Sequence, residues 1–158
     1  MNVNDLIAID THTHAEVSCC DPPDLFGKEY DEAADKYFKF ALKKRPTIPE
    51  TIAYYRERKI GLVLFTVDSE SVMGRKRISN DEVAKFAREN SDIVIPFASI
   101  DPHKGKMGVR EAKRLIEEEG VKGFKFHPTT QGFFPNDRLA YPMYELIAEH
   151  KLPAIFHS

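Results

Sequence analysis

The sequence predicts an α/β fold built on a parallel sheet, and three features carry that reading. Short apolar runs alternate with segments of helical periodicity. The later runs recur at roughly 30 residues, the size of one βα unit. Each run also ends in, or is followed at once by, a polar or ionisable side chain. Strand alternating with helix means βαβ units, and in such folds ligands bind outside the carboxyl ends of the strands.

Strands are expected at Leu6–Asp10, Gly61–Val67, Ile93–Ile100, Val121–His127 and Leu152–His157. The helices between them announce themselves by their ends. Thr47 with Glu50 reads as a capping box, with Pro49 in a first turn that tolerates it. Ser79 with Glu82 repeats that signal. Val109–Glu119 has apolar residues at helical spacing and stops before Gly120, a natural C-cap. Tyr141–His150 supplies a further helix. Residues 21–45 read as an insertion over the carboxyl end of the first strand, with a helix around Glu32–Leu42. There is no internal repeat.

Composition bounds the rest. The chain has 158 residues, 42% hydrophobic and 30% charged, enough for one domain with a real core. A net charge of −2 leaves no electrostatic footprint for nucleic acid or an anionic membrane. No apolar run approaches the ~18 residues of a membrane span, and the N-terminus lacks a signal peptide's charged and apolar regions. The two cysteines, Cys19 and Cys20, are adjacent, a poor geometry for a disulfide. A reducing, cytoplasmic location is expected.

Side chains alternate along a strand. In the first strand Ile7 and Ile9 share one face, while Asp10, His12 and His14 share the other. In the fourth, Phe124 and Phe126 face the helices, while Lys125 and His127 face the interior. Leu62, Leu64, Ile93, Ile95 and Ile155 are placed on the interior face as well. The pair His12 and His14 is the strongest chemical signal. Histidines two apart on an extended chain have Cα atoms ~7 Å apart and point the same way, so both imidazoles can converge on one divalent ion. Neutral imidazole suits Zn, Fe, Co, Ni or Mn. Asp10 either orients an imidazole or simply hydrogen-bonds in the core. His157 ends the last strand and is the natural third ligand. His127 either contacts substrate or metal or packs beneath Pro128. Lys125 must pair, bind an anion or lower its pKa. Asp68, Asp101 and His103 are loop residues with weaker claims. His150 caps a helix whose negative end favours it. The aromatics Phe133 and Phe134 either wall a pocket or pack on the inserted helix.

The runs Ile9–His14, Gly123–Pro128 and Ile155–His157 resemble the amidohydrolase superfamily. More narrowly they are similar to the amidohydrolase-related group that includes aminocarboxymuconate semialdehyde decarboxylase. The middle stretches Ile78–Glu82, Ile95–His103 and Gly123–Asp137 resemble 4-hydroxyphenyl-β-ketoacyl-CoA hydrolases. The resemblance implies a TIM (β/α)8 barrel of the metal-dependent hydrolase type, truncated after strand 5, with residues 1–158 forming the N-terminal portion of a single domain. It implies one divalent metal ion, zinc first, with Mn, Fe, Co or Ni as alternatives. His12, His14 and His157 match the metal ligands, while Lys125 and His127 are the catalytic candidates from their own place on the fourth strand. The family's strand-6 histidine and strand-8 aspartate are absent from this sequence. The activity implied is hydrolysis of a carbonyl-containing small molecule by a metal-activated water. The alternatives are a carboxy-lyase of the same group and a catalytically incomplete fragment. The partner is a small-molecule substrate, with a homo-oligomer expected at full length. The 158-residue chain alone is expected to be inactive, because closure of the barrel is what brings His157 opposite His12 and His14.

Overall fold

The computed structural model describes residues 1–22, 28–39 and 45–157. In chain order the elements are β1 (Ala8–His14), α1 (Lys28–Phe38), α2 (Ile48–Glu57), β2 (Ile60–Phe65), α3 (Glu70–Met73), α4 (Asn80–Glu89), β3 (Val94–Ala98), α5 (Gly105–Glu117), β4 (Gly123–Phe126), α6 (Pro128–Gln131), α7 (Tyr141–Glu149) and β5 (Ala154–Phe156). The strands form one five-stranded sheet in the order β1-β2-β3-β4-β5, and every pairing is parallel. The alternation predicted from sequence is therefore the fold. β1 runs later than expected and takes in both histidines. The inserted helix starts at Lys28, while positions 40–42 of its predicted span lie outside the described residues. No helix among the described residues is long and apolar enough to cross a membrane.

The helices cover one face of the sheet. Ile48 and Ile52 of α2 and Val83 and Ala87 of α4 bury Leu62 and Leu64 of β2. Ala112 and Leu115 of α5, with Met143, Leu146 and Ile147 of α7, bury Phe124 and Phe126 of β4. The opposite face holds Val63, Phe65 and Phe97, with Ile95 and Ile155 against them. Ile95 and Ile155 thus face inward as expected. Leu62, Leu64 and Ile93 do not: they face the helix layer. β2 is apolar at every position, so its alternation carries no polarity signal to say which parity points inward.

The sheet is strongly curled. Four steps of about 4.8 Å would part β1 from β5 by ~19 Å if flat. Yet the His12 and His157 rings, one from each end, have centroids 6.5 Å apart. That curvature belongs to a barrel wall and not to an open doubly wound sheet, and it exists without closure.

One glycine is dictated by this interior. Gly123 pairs with Phe97, and a Cβ there would stand 2.3 to 2.6 Å from three atoms of the Phe97 ring. Phe97 is 5% exposed and has little room to withdraw. Gly123→Ala is expected to destabilise by about 1–3 kcal/mol through overpacking; urea unfolding of the two proteins measures it, and an unchanged midpoint would show that the ring moves freely.

The capping signals resolve differently. At α2 the box is complete: Thr47 Oγ1 accepts from the Glu50 amide at 3.4 Å, and Glu50 Oε2 accepts from the Thr47 amide at 2.7 Å. At α4 it is half a box. Ser79 caps the Glu82 amide at 3.0 Å, but the buried Glu82 carboxylate reaches away to the Ser18 hydroxyl at 2.6 Å and the Cys19 amide at 2.7 Å. Glu82 thereby pins the loop leaving β1. Cys19 and Cys20 on that loop are exposed and free.

Candidate metal centre

The site begins with an irregularity in β1. Asp10 pairs with Leu62 and Thr13 with Leu64, so one extra residue is accommodated on the β1 side. Such a bulge breaks alternation and re-aims side chains. Asp10 points toward α2, where its Oδ2 accepts from the Tyr55 hydroxyl at 2.6 Å. Its Oδ1 accepts from the His12 amide at 2.9 Å. These donors, Tyr55 foremost, hold the Asp10 carboxyl below the usual carboxylate range. Thr13 faces the same way, its hydroxyl 3.4 Å from the Tyr55 oxygen. The expectation that Asp10 shares a face with His12 and His14 is thus corrected, and Asp10 grips the backbone of His12, not an imidazole.

Past the bulge, His12 and His14 turn into the barrel interior, each edge-on to the Phe65 ring at centroid distances of 5.3 and 4.8 Å. Their Nε2 atoms are 3.3 Å apart. Two nitrogens bound at about 2.0–2.1 Å to a tetrahedral ion are themselves separated by roughly 3.3 Å. The pair therefore already has the bite of two ligands on one ion. The ring centroids, 5.2 Å apart, agree with the roughly 5 Å that follows from the same geometry.

His157 approaches but does not close the set. Its ring lies 6.5 Å from that of His12 and stacks on His127 at 4.0 Å, nearly parallel at 11°. Among the described residues no three His, Cys, Asp or Glu side chains converge to hold an ion. Lys125 faces inward as predicted. It is fully buried, with its Nζ 3.4 Å from His12 Nε2 and 5.2 Å from the centre of the Phe65 ring.

The electrostatics favour neutral rings. Burial first, then the neighbouring His12 and Lys125, push His14 down to about 4. Burial, His157 and Lys125 push His127 down to about 4 as well. Burial also lowers His12, with Lys125 next, and lowers Lys125 itself. Neutral imidazoles near pH 7 keep lone pairs for a cation.

His127 is held by its own turn. Its amide donates to Gln131 Oε1 at 2.7 Å, and Gln131 Nε2 donates to the Asp68 carbonyl at 2.8 Å. The Thr130 amide donates to His127 Nδ1 at 3.4 Å. With Nδ1 accepting, the ring proton of neutral His127 sits on Nε2. Gln131, fully buried, was not singled out by the sequence, since a glutamine in a loop carries no motif.

The weaker candidates fall outside this cluster. Asp68 and Asp101 are fully buried. Asp68 Oδ2 receives Arg77 at 2.5 Å and Lys104 at 2.7 Å, and Asp101 Oδ1 receives His103 Nδ1 at 2.8 Å. They tie the loops after β2 and β3 together. His150 bonds the Leu146 carbonyl at 3.0 Å through Nδ1, the helix-end role expected of it. Phe133 does neither of the things foreseen: it packs into the helix-side core beside Phe126, and Phe134 is 74% exposed. A cavity of about 590 Å³ opens beside the histidines, lined by His14, His127, Ser18, Lys76 and Arg77 among others.

Comparison with known proteins adds the following. A protein-family model described as Amidohydrolase matches residues 9–158. No curated protein matches. Among solved structures, 4-oxalomesaconate hydratase from Rhodopseudomonas palustris superposes with a TM-score of 0.52 at 19% identity, over 94% of this chain and 51% of that one. The 5-carboxyvanillate decarboxylase from Novosphingobium aromaticivorans, solved with manganese and 3-methoxy-4-hydroxy-5-nitrobenzoic acid, superposes with a TM-score of 0.59 at 15% identity, over 97% of this chain and 50% of that one. The chain spans about half the length of these structures, and the likeness at such identities is one of fold.

Proposed function

The chain belongs to the amidohydrolase family, and from that premise we propose that the protein carrying it is a metal-dependent hydrolase of a carbonyl-containing small molecule. The observation that carries the reading is the 3.3 Å separation of His12 and His14 Nε2. His12 and His14 would hold the ion, with His157 as the third protein ligand. A donor set of imidazoles suits zinc first, and Mn, Fe, Co or Ni after it. A divalent ion there would polarise a carbonyl and lower the pKa of water.

The chain's own residues supply the rest. Through Nε2–H, His127 donates a hydrogen bond to the substrate's carbonyl oxygen, where negative charge develops. Lys125, buried and with no carboxylate among its contacts within the described residues, receives an anionic group of the substrate. Phe65 closes the floor beneath both histidines and keeps water from that side. An aryl β-ketoacyl-CoA is the substrate favoured by the middle-stretch resemblance. A second reading is a carboxy-lyase, favoured by the fold likeness to a hydratase and a decarboxylase.

The full-length protein is expected to hold about one divalent ion per chain, and a His12→Ala, His14→Ala double variant to hold far less. Elemental analysis of both decides; equal metal content would remove the assignment. Turnover in heavy-oxygen water then separates the two chemistries, since the hydrolase alone places solvent oxygen in the product during the chemical step.

A further inference from the structure

The bulge in β1 decides which way the histidines point. Asp10, His12 and His14 have the same parity in sequence. On a regular strand all three would face one way. Asp10 faces α2, so an unbroken β1 in this register would send His12 and His14 toward the helices as well. The extra residue between Asp10 and Thr13 prevents this.

Something must hold that irregularity, and the contacts name it. The Asp10 carboxylate takes the His12 amide at 2.9 Å on one oxygen and the Tyr55 hydroxyl at 2.6 Å on the other. Tyr55 sits on α2, whose seat is independent of β1's histidines. That helix is fixed by its capping box and by Ile48 and Ile52 packed on Leu62 and Leu64. A parallel bridge between Val17 and Thr47 ties its start to the chain just beyond β1. The Tyr55 hydroxyl has one proton, and it is spent on Asp10. We propose that Tyr55 and Asp10 form a brace that holds the β1 bulge and thereby sets the bite and the inward direction of His12 and His14. Both are positioning residues that touch neither ion nor substrate. The inference rests on the metal reading above.

Cobalt(II) titration of the full-length protein tests it, read by its visible bands and its dissociation constant. Orienting partners of ligands typically contribute about 10–100-fold to metal affinity. Asp10→Ala should weaken cobalt binding by about that factor and change the band pattern. Tyr55→Phe, which keeps the ring packed, should weaken it about 10-fold. Asp10→Asn should stay within about threefold of wild type, because its side-chain carbonyl still accepts the His12 amide and its NH2 donates to the Tyr55 oxygen, keeping both links of the brace. If Asp10→Ala does not fold by circular dichroism, Tyr55→Phe carries the decision. A merely structural brace would lower the melting temperature of Tyr55→Phe and leave its cobalt constant and spectrum at wild-type values, which would overturn the proposal while the metal reading stands. Absence of cobalt binding in the wild type would overturn both.

Discussion

Replacing His127 by phenylalanine in the full-length protein should lower kcat by about 10²–10³ while leaving metal content unchanged. Phenylalanine preserves the flat stack on His157, now 4.0 Å between ring centroids, and removes the Nε2–H together with the long Nδ1 contact to the Thr130 amide at 3.4 Å. The loss then reports a donor to charge that develops in the transition state, not a collapse of the site. The pH dependence sharpens the test. His127 is pushed down to about 4 by burial, His157 and Lys125, and a divalent ion nearby would push in the same direction. Between pH 5 and 9 the ring stays neutral. The variant's pH–rate profile should therefore lie below the wild type's by a constant factor, with no inflection gained or lost. Steady-state kinetics across that range check it. A kcat within about threefold of wild type would mean that His127 serves the stack alone.

What the sequence revealed, and what it hid, follows from the same physics. The paired histidines were legible because two residues of one type at a spacing of two make an unusual polar pattern at the end of an apolar run. The inward parity of Lys125 and His127 was legible because Phe124 and Phe126 alternate with them along β4. β2 offered no such contrast, and Leu62 and Leu64 were placed on the wrong face. The bulge in β1 was invisible for a different reason. It depends on a tyrosine some 45 positions away, and nothing in the sequence distinguishes Tyr55, which reaches Asp10, from its neighbour Tyr54, which is exposed. Glu82 shows how a correct local signal can conceal a tertiary role. Its position three residues after Ser79 announced a capping box, while its carboxylate was committed to the loop after β1. Phe133 looked like either a pocket wall or a cover for the inserted helix, because an aromatic in a loop attracts those readings. Its burial against Phe126 and α7 depends on the turn made by α6, which is set by Gln131 reaching across to Asp68.

The 158-residue chain by itself should lack the activity proposed above, which is expected of the full-length protein. An eight-stranded barrel needs three strands beyond the five present among the described residues, and the solved structures it resembles are about twice as long. β1 and β5 are then open edges with unpaired N–H and C=O groups. Apolar side chains stand exposed beside them: Ile7 at 78% and Phe156 at 37%. Closure is not what brings His157 near, since the curled sheet already sets its ring 6.5 Å from His12. That distance is still more than an Å too wide for co-ligation of a tetrahedral ion, where ring centroids sit roughly 5 Å apart. The family resemblance places a general base on strand 8, beyond the five strands among the described residues, and loss of such a base typically costs about 10²–10⁴-fold in rate. The isolated chain should therefore bind cobalt weakly through His12 and His14 alone, turn nothing over, and self-associate through its edges. Size-exclusion chromatography, cobalt titration and a hydrolysis assay on the isolated chain, with the full-length protein alongside, give the answer. A soluble, active monomer of 158 residues would contradict both the need for strand 8 and the eight-stranded barrel.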